Sequence, residues 1–460
     1  MFTWNYALLG QTMNRVGISH LQGIPDPYND IERLKHHIIQ SLVSAGYGMS
    51  DPANPFKDIL LAGQTVVLKP NWVYHNNRSG FGMDCMITNP SFIEAVVDLI
   101  SKCNPQKIII GDAPIQGCNF NALVTNEWIE RIKNKVGIPL EIIDFRRTIM
   151  IEKPLATLVN TEQRDMSHFI SFDAGKGSYL ESISDATGSF RVSMYNHRYL
   201  AENHKKGVHR YLIAKEPLEA DVFINLPKLK THNKAGLTGA LKNLVGINGS
   251  KEFLPHHRIG GTKQGGDNYP GKSVYKYIAE KLTDRMNSSD NSYSYQFFRY
   301  VAKGMLKTFS ILGKNDDISG GWYGNDTVWR MVLDLNKIFI YGNLDGTFSP
   351  VPLRKIYSLT DAIIAGDHNG PLYPQPVNLG IITFSDSSPC ADLVHAAIMG
   401  FDWEKIPVIR ESIVDLIDPS HDITQSLAIF ADEKEISFDK LKKLADTVVI
   451  PAPNWIGHIG

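Results

Sequence analysis

The chain has 460 residues, 43% of them hydrophobic and 21% charged, a make-up that buries a sizeable core and excludes wholesale disorder. Lys and Arg number 47 against 48 Asp and Glu, a net charge of −1, so no global basic field draws the chain to nucleic acid or anionic lipid. Its four cysteines, Cys85, Cys103, Cys118 and Cys390, are scattered with no CxxC pair; a disulfide framework is excluded, and no self-contained iron–sulfur cluster is expected.

The N-terminal stretch MFTWNYALLGQTMNRVG lacks the basic-then-apolar order of a secretory signal. No run approaches the roughly 18 apolar residues of a spanning helix, so no membrane span is expected and a reducing cytoplasm is the default compartment. Residues 1–63 read as a helical lead-in, with amphipathic spacing over Ile31–Val43. Thr65–Leu68 is a β-rich run, Asn89-Pro90-Ser91 a helix start before FIEAVVDLISKC, Lys107–Ile110 a second buried strand, 125–136 a helix and 140–145 a third strand. Strand and helix alternating at this spacing predict an α/β fold: a mainly parallel sheet with crossover helices. Residues 146–215 read as a β-rich insertion, and Asp221–Leu226 returns to the buried-strand pattern. In 227–267 only Thr238–Val245 has helical spacing. Residues 272–312 read as helix interrupted by MNSSDNSYS, and Trp322–Ile340 continues as helix. Ser358–Ile364 and Gly380–Phe384 read as strands flanking a loop AGDHNGPLYP, and Ala391–Met399 as helix; the tail after 405 has no clear pattern. The organisation expected is thus a lead-in over 1–63, an α/β core over 64–260 carrying the insertion, a largely helical segment over 261–345, and a C-terminal α/β part over 346–460 that completes the core.

Ligands of open parallel sheets bind beyond the carboxyl ends of strands. Three expected strands end in useful chemistry: one at Lys69 and Asn71, one at Asp112, and one at Asn225 followed by Lys228, Lys230 and His232. The densest patch, NLPKLKTHNKAGLTGALKNLVGINGSKEFLPHH, adds Lys234, Lys242, Asn243, Lys251, His256 and His257 among glycines that let backbone approach a ligand. Gly239, at the start of the short helix, offers an N-terminus to an anion. The alternative is a glycine-rich surface loop with solvated lysines. His256 or His257 suits a metal ligand, or an acid/base paired with His232. Asp367 in GDHNGP is either a turn aspartate or a substrate ligand, and Asp392 either a first-turn carboxylate or a metal ligand. Arg191, Arg198 and Arg210, interleaved with tyrosines, suit a sugar phosphate better than nucleic acid, given the neutral total charge. No GxGxxG follows a strand, and GxxxxGK[ST], HExxH and GxSxG are absent.

At these residues the chain resembles the family known as domain of unknown function 362. The matching pieces are VVLKPNW at 66–72, TNPSFIEAVVDLI at 88–100, IIIGDAP at 108–114, DVFINLPKLKTHNKAGLTGALKNLVGI at 221–247, AGDHNGPL at 365–372 and DLVHAAIMGFDWEKIP at 392–407. Some members are fused to ferredoxin modules, which implies a separate ferredoxin as partner; this chain lacks their cluster cysteines. More distantly, HNKAGLTGALKNLVGINGSKEFLPHH resembles the segment of lactate-racemase-type enzymes in which a basic residue carries a nickel-pincer nucleotide and a downstream histidine binds the metal. Lys242 matches the basic position, His232 the first histidine, and His256 or His257 the second. Ala240, Leu241 and Asn243 depart from that pattern, so the resemblance implies a shared fold rather than a shared cofactor.

The expected function is an enzyme acting on a small anionic substrate (a hydroxy acid, sugar acid or sugar phosphate), with a divalent metal left open. In this reading His232 is the acid/base, Lys242 holds the anion and Asp112 orients a base or ligates metal. Lys69, Asn71, Lys228, Lys230, Asn243 and Asp367 contact substrate, and His256, His257 and Asp392 are the metal candidates. The alternatives are a redox or metal-centre maturation partner working with a ferredoxin, and a non-catalytic ligand-binding scaffold.

Overall fold

In a computed structural model, which describes residues 14–460 except 22, 24–25, 154–156, 290, 312–316, 417–422 and 446, the buried apolar runs lie side by side in an 11-stranded sheet. Its strands are β1 (Arg15–His20), β2 (Thr65–Pro70), β3 (Lys107–Asp112), β4 (Leu140–Asp144), β5 (Val222–Leu226), β6 (Lys228–His232), β7 (Gly236–Thr238), β8 (Tyr357–Asn369), β9 (Tyr373–Ser385), β10 (Ala428–Ala431) and β11 (Lys434–Glu435). The order across the sheet is β11-β10-β1-β9-β8-β5-β2-β3-β4, with β6 lying along β8 and carrying β7. From β8 to β4 every pairing is parallel; β9 runs antiparallel between β8 and β1. The α/β fold with a mostly parallel sheet is therefore as the sequence predicts.

The main helices are α1 (Ile31–Ser44), α2 (Pro90–Ser101), α3 (Asn126–Lys135), the single turn α4 (Ala240–Asn243), α5 (Val274–Asn287), α6 (Ser292–Ile311), α7 (Val328–Tyr341) and α8 (Ser388–Ile398). Local chemistry sets their starts: the side chains of Asp30, Asn89 and Thr125 accept backbone N–H bonds at the first turns of α1, α2 and α3. Alternation along the strands sorts the core into two layers. Val66, Leu68, Ile108, Ile110 and Ile224 pack with Leu34, Ile38, Phe92 and Val96 of α1 and α2. Val67, Ile109 and Phe223 face the other way, toward Leu335 and Phe339 of α7 and Leu393 of α8.

Several expectations change. The lead-in contributes β1, paired with β9 on one side and with β10 of the unplaced tail on the other; residues 1–13 of that expectation lie outside the described residues. The stretch after Leu226 is a strand, not irregular chain. Pro227 breaks the line of β5, its carbonyl accepts from Asp361 N at 3.0 Å, and β6 continues parallel to β8. AGDHNGPLYP is not a loop: Ala365–Asn369 pairs residue by residue with Tyr373–Val377, and those cross-strand bonds replace the β-propensity that the segment lacks. α7 begins at Val328, not Trp322; in the turn just before it the Asn325 side chain accepts from Thr327 N at 3.1 Å and Val328 N at 2.9 Å. Outside the main sheet, Thr148–Lys153 pairs with Thr157–Glu162, Phe169–Asp173 with Val208–Ala214, and His204–Lys205 with the start of Val208–Ala214, all antiparallel.

Candidate active site

From β2 the chain moves outward through β3 to β4, then returns to place β5 on the opposite flank of β2. Such a reversal opens a crevice at the carboxyl ends of the strands, because the following connections depart to opposite sides. Pro70, Asp112 and Leu226 end their strands there, and the segment 238–256 closes over them. A cavity of about 110 Å³ results, lined among others by Asn71, Trp72, Asp112, His232, Thr238, Lys242, Asn243, Lys251 and His256.

Its floor is a buried polar network. Lys69, fully buried, donates to Asp112 Oδ1 at 2.8 Å, Pro70 O at 3.0 Å and Asn243 Oδ1 at 3.1 Å. Asp112 also accepts from Trp72 N at 2.6 Å and Ala113 N at 2.9 Å. Burial pushes the Lys69 ammonium down and the Asp112 carboxyl up, and their mutual attraction opposes both shifts. The two backbone N–H donors favour the carboxylate, so the pair is charged. Asn71 Nδ2 donates to Asn243 Oδ1 at 2.9 Å, and Asn243 Nδ2 to Asn225 Oδ1 at 2.8 Å. Lys230 donates to Asn71 Oδ1 and to Met86 O; burial, then repulsion from Lys228 and Lys242, holds it well below its ordinary range.

The walls have a different character. Lys242 and Lys251 reach the cavity with no carboxylate within ion-pairing distance among the described residues. Burial, helped by the neighbouring lysines, lowers Lys242 to about 7; burial lowers Lys251 to about 8. His232 Nδ1 accepts from Lys234 N at 3.0 Å, which assigns its proton to Nε2. His256 Nδ1 lies 2.7 Å from Leu254 O; a carbonyl only accepts, so Nδ1 carries the proton and Nε2 keeps its lone pair. Burial and the surrounding lysines hold both rings well below the usual histidine range, so both are neutral near pH 7. The cavity thus offers two lysine amino groups, one imidazole N–H and one imidazole lone pair, and Thr238 adds a buried hydroxyl without a hydrogen-bond partner among the described residues.

Of the residues singled out in the sequence, the cavity wall collects Asn71, Asp112, His232, Lys242, Asn243 and His256. Lys69 and Lys230 lie beneath it as braces. Lys228 is 2.9 Å from Asp361, and Tyr28 donates to that carboxylate at 2.6 Å; this triad ties β6 to β8 outside the cavity wall. Asp367 pairs with His368 at 2.5 Å and accepts from Ile450 N at 3.2 Å, fastening the tail instead of facing the crevice. Asp392 accepts from Ala240 N at 2.6 Å and Leu241 N at 2.9 Å and pairs with His395 at 2.9 Å. It therefore fills the N-terminus of α4 that Gly239 was expected to offer to a ligand, and a Cβ on Gly239 would fall 2.0 Å from Asp392 Oδ1. His257 is buried apart from the cavity wall. Among the described residues no three His, Cys, Asp or Glu side chains are grouped to hold a metal ion, so the set His256, His257 and Asp392 does not fit one. Among the polar and aromatic wall residues, Lys251, singled out in the sequence only as part of the dense patch, and Trp72 and Thr238 were given no role; the GSK turn after Ile247 was the available signal for the first.

The fold is thus a mostly parallel α/β sheet with a polar crevice at its switch point, beyond the strand ends. The chain belongs to the family described as Domain of unknown function (DUF362), which it matches over residues 66–174 and 171–397. It is 25% identical over 206 residues to the thylakoid-associated protein sll1697 of Synechocystis sp. (strain ATCC 27184 / PCC 6803 / Kazusa), covering 45% of this chain and 46% of that one; the match thus spans just under half of the relative's length. Solved structures similar to it include the lactate racemase apoprotein from Thermoanaerobacterium thermosaccharolyticum, at 12% identity and TM-score 0.33 over 81% of this chain and 55% of that one. A crystal structure of a Thermotoga maritima protein is similar at 9% identity and TM-score 0.28 over 77% and 54%.

Proposed function

We propose that the chain is an enzyme that binds a small anionic substrate in this cavity and moves a proton on it. The observation that carries the reading is the pair Lys242 and Lys251, two lysine amino groups lining a half-open cavity in which Asp112, the one carboxylate among the described lining residues, is already paired with Lys69. Like charges held near one another in a half-buried site, with no counter-ion among the described residues, repel, and a carboxylate or phosphate relieves that repulsion. The fixed tautomers then divide the labour: His256 Nε2 accepts a proton and His232 Nε2 donates one, the complement needed for an isomerisation or racemisation beside an anionic group. Hydroxy acids, sugar acids and sugar phosphates carry such groups.

Calorimetric titration of inorganic phosphate and of lactate tests the anion site directly. Lys242→Met is expected to weaken binding by about tenfold, the scale of one charge-assisted contact, and Lys242→Arg to keep part of it, since charge survives while geometry changes. Binding undiminished by Lys242→Met, or no binding by the parent chain, would sink the reading. The proton-transfer step is read separately, as solvent deuterium entering a bound hydroxy or sugar acid beside its carboxylate. His232→Gln and His256→Gln are each expected to abolish it while phosphate still binds.

Affinity should also depend on pH with a definite sign. The ammonium forms hold the anion, so binding is strongest below about 7, where both lysines are charged, and weakens as pH rises through about 8. Each neutral amine must then take up a proton to bind. Phosphate itself gains charge over this range, so the check uses lactate, whose charge is constant; affinity for lactate that rises with pH would contradict the assignment.

A further inference from the structure

We propose that the α5–α6 hairpin is a docking surface for an anionic lipid bilayer, with the hairpin lying on the bilayer surface. α6 shows two faces. Tyr295 and Ala302 are buried, whereas Tyr293 is 79%, Phe297 63%, Tyr300 70% and Ile311 75% exposed. Those four recur at i, i+4, i+7 and i+18, with exposed Val301 beside them, and therefore form one stripe along the helix. On α5, Val274 and Ile278 are exposed as well. A stripe of aromatic and aliphatic side chains left to water is unusual, and it marks an interaction surface.

Charge selects the occupant. Lys272, Lys281, Arg285, Lys303 and Lys307 of this hairpin are all exposed. Its described acids are turned inward: Glu280 accepts from Gly260 N and Asn268 Nδ2, and Asp284 pairs with Arg191 at 2.9 Å. The chain as a whole has a net charge of −1, so the positive field is local to this hairpin. Aromatic side chains on one face and lysines beside them are what an interfacial helix presents to acyl chains and anionic headgroups together. No described helix is long and apolar enough to cross a membrane.

The test is co-flotation of the full chain with vesicles of phosphatidylcholine alone and of phosphatidylcholine mixed with phosphatidylglycerol. Binding is expected on the mixed vesicles only, and is expected to weaken with added salt. Phe297→Ser with Tyr300→Ser, and separately Lys303→Glu with Lys307→Glu, should each lower the partition coefficient by about tenfold or more with the thermal transition unchanged. The proposal is overturned by equal partition onto both vesicle types, by no partition at all, or by variants that bind as the parent does. It is also overturned if scattering shows a dimer that the Phe297/Tyr300 variant dissociates, which would make a second copy the occupant.

Discussion

Lys69→Met is expected to destabilise the chain by about 3–5 kcal/mol, the cost of leaving one partner of a buried ion pair behind. The Lys69 side chain has no solvent exposure and that of Asp112 4%, so water cannot replace the lost ammonium. Three acceptors lose a donor at once, Asp112 Oδ1, Pro70 O and Asn243 Oδ1, and the donors left to Asp112 Oδ1 and Asn243 Oδ1, Ala113 N and Asn71 Nδ2, are neutral. Urea unfolding should show a lower midpoint at an unchanged slope. The double change Lys69→Met with Asp112→Asn should recover part of the loss, because no unpaired charge remains. A loss below about 1 kcal/mol for the single change would mean that Asp112 simply protonates, and the charged assignment would be wrong.

Gly246→Ala is expected to cost about 1–3 kcal/mol as an overpacked site and, with it, to lose phosphate binding. Gly246 lies against the floor of the cavity: an added Cβ would fall 1.8 Å from Asp112 Oδ1 and 2.6 Å from Lys69 Nζ. Its carbonyl accepts from Ala113 N at 2.8 Å, so the turn cannot retreat without also releasing the end of β3. Any retreat carries Lys242 and Lys251 with it, since both belong to the same short segment. Unfolding measurements and phosphate titration on one sample check both halves. Binding retained at parent affinity would show that the turn does not set the positions of the lysines.

The sequence by itself determined the α/β class, the strands β2, β3, β4 and β5, the helices α1, α2 and α3, and the segment that lines the crevice. Those features are local: apolar runs, capping residues and prolines act within a turn or a strand, so one window of sequence carries them. It could not place β6 or the inner half of the β8–β9 hairpin, whose residues are polar or glycine-rich and become strands only because a partner strand supplies the hydrogen bonds. Nor could it separate the lysines by task. Lys69, Lys228, Lys230, Lys242 and Lys251 look alike along the chain; their burial and partners in the fold divide them. Lys69 is spent on Asp112 and Lys228 on Asp361, Lys230 braces Asn71, and Lys242 and Lys251 are left facing the cavity. Which cation lacks a counter-ion is a property of three-dimensional neighbours, decided by the return of β5 beside β2 and by the turn that Gly246 lets close over them.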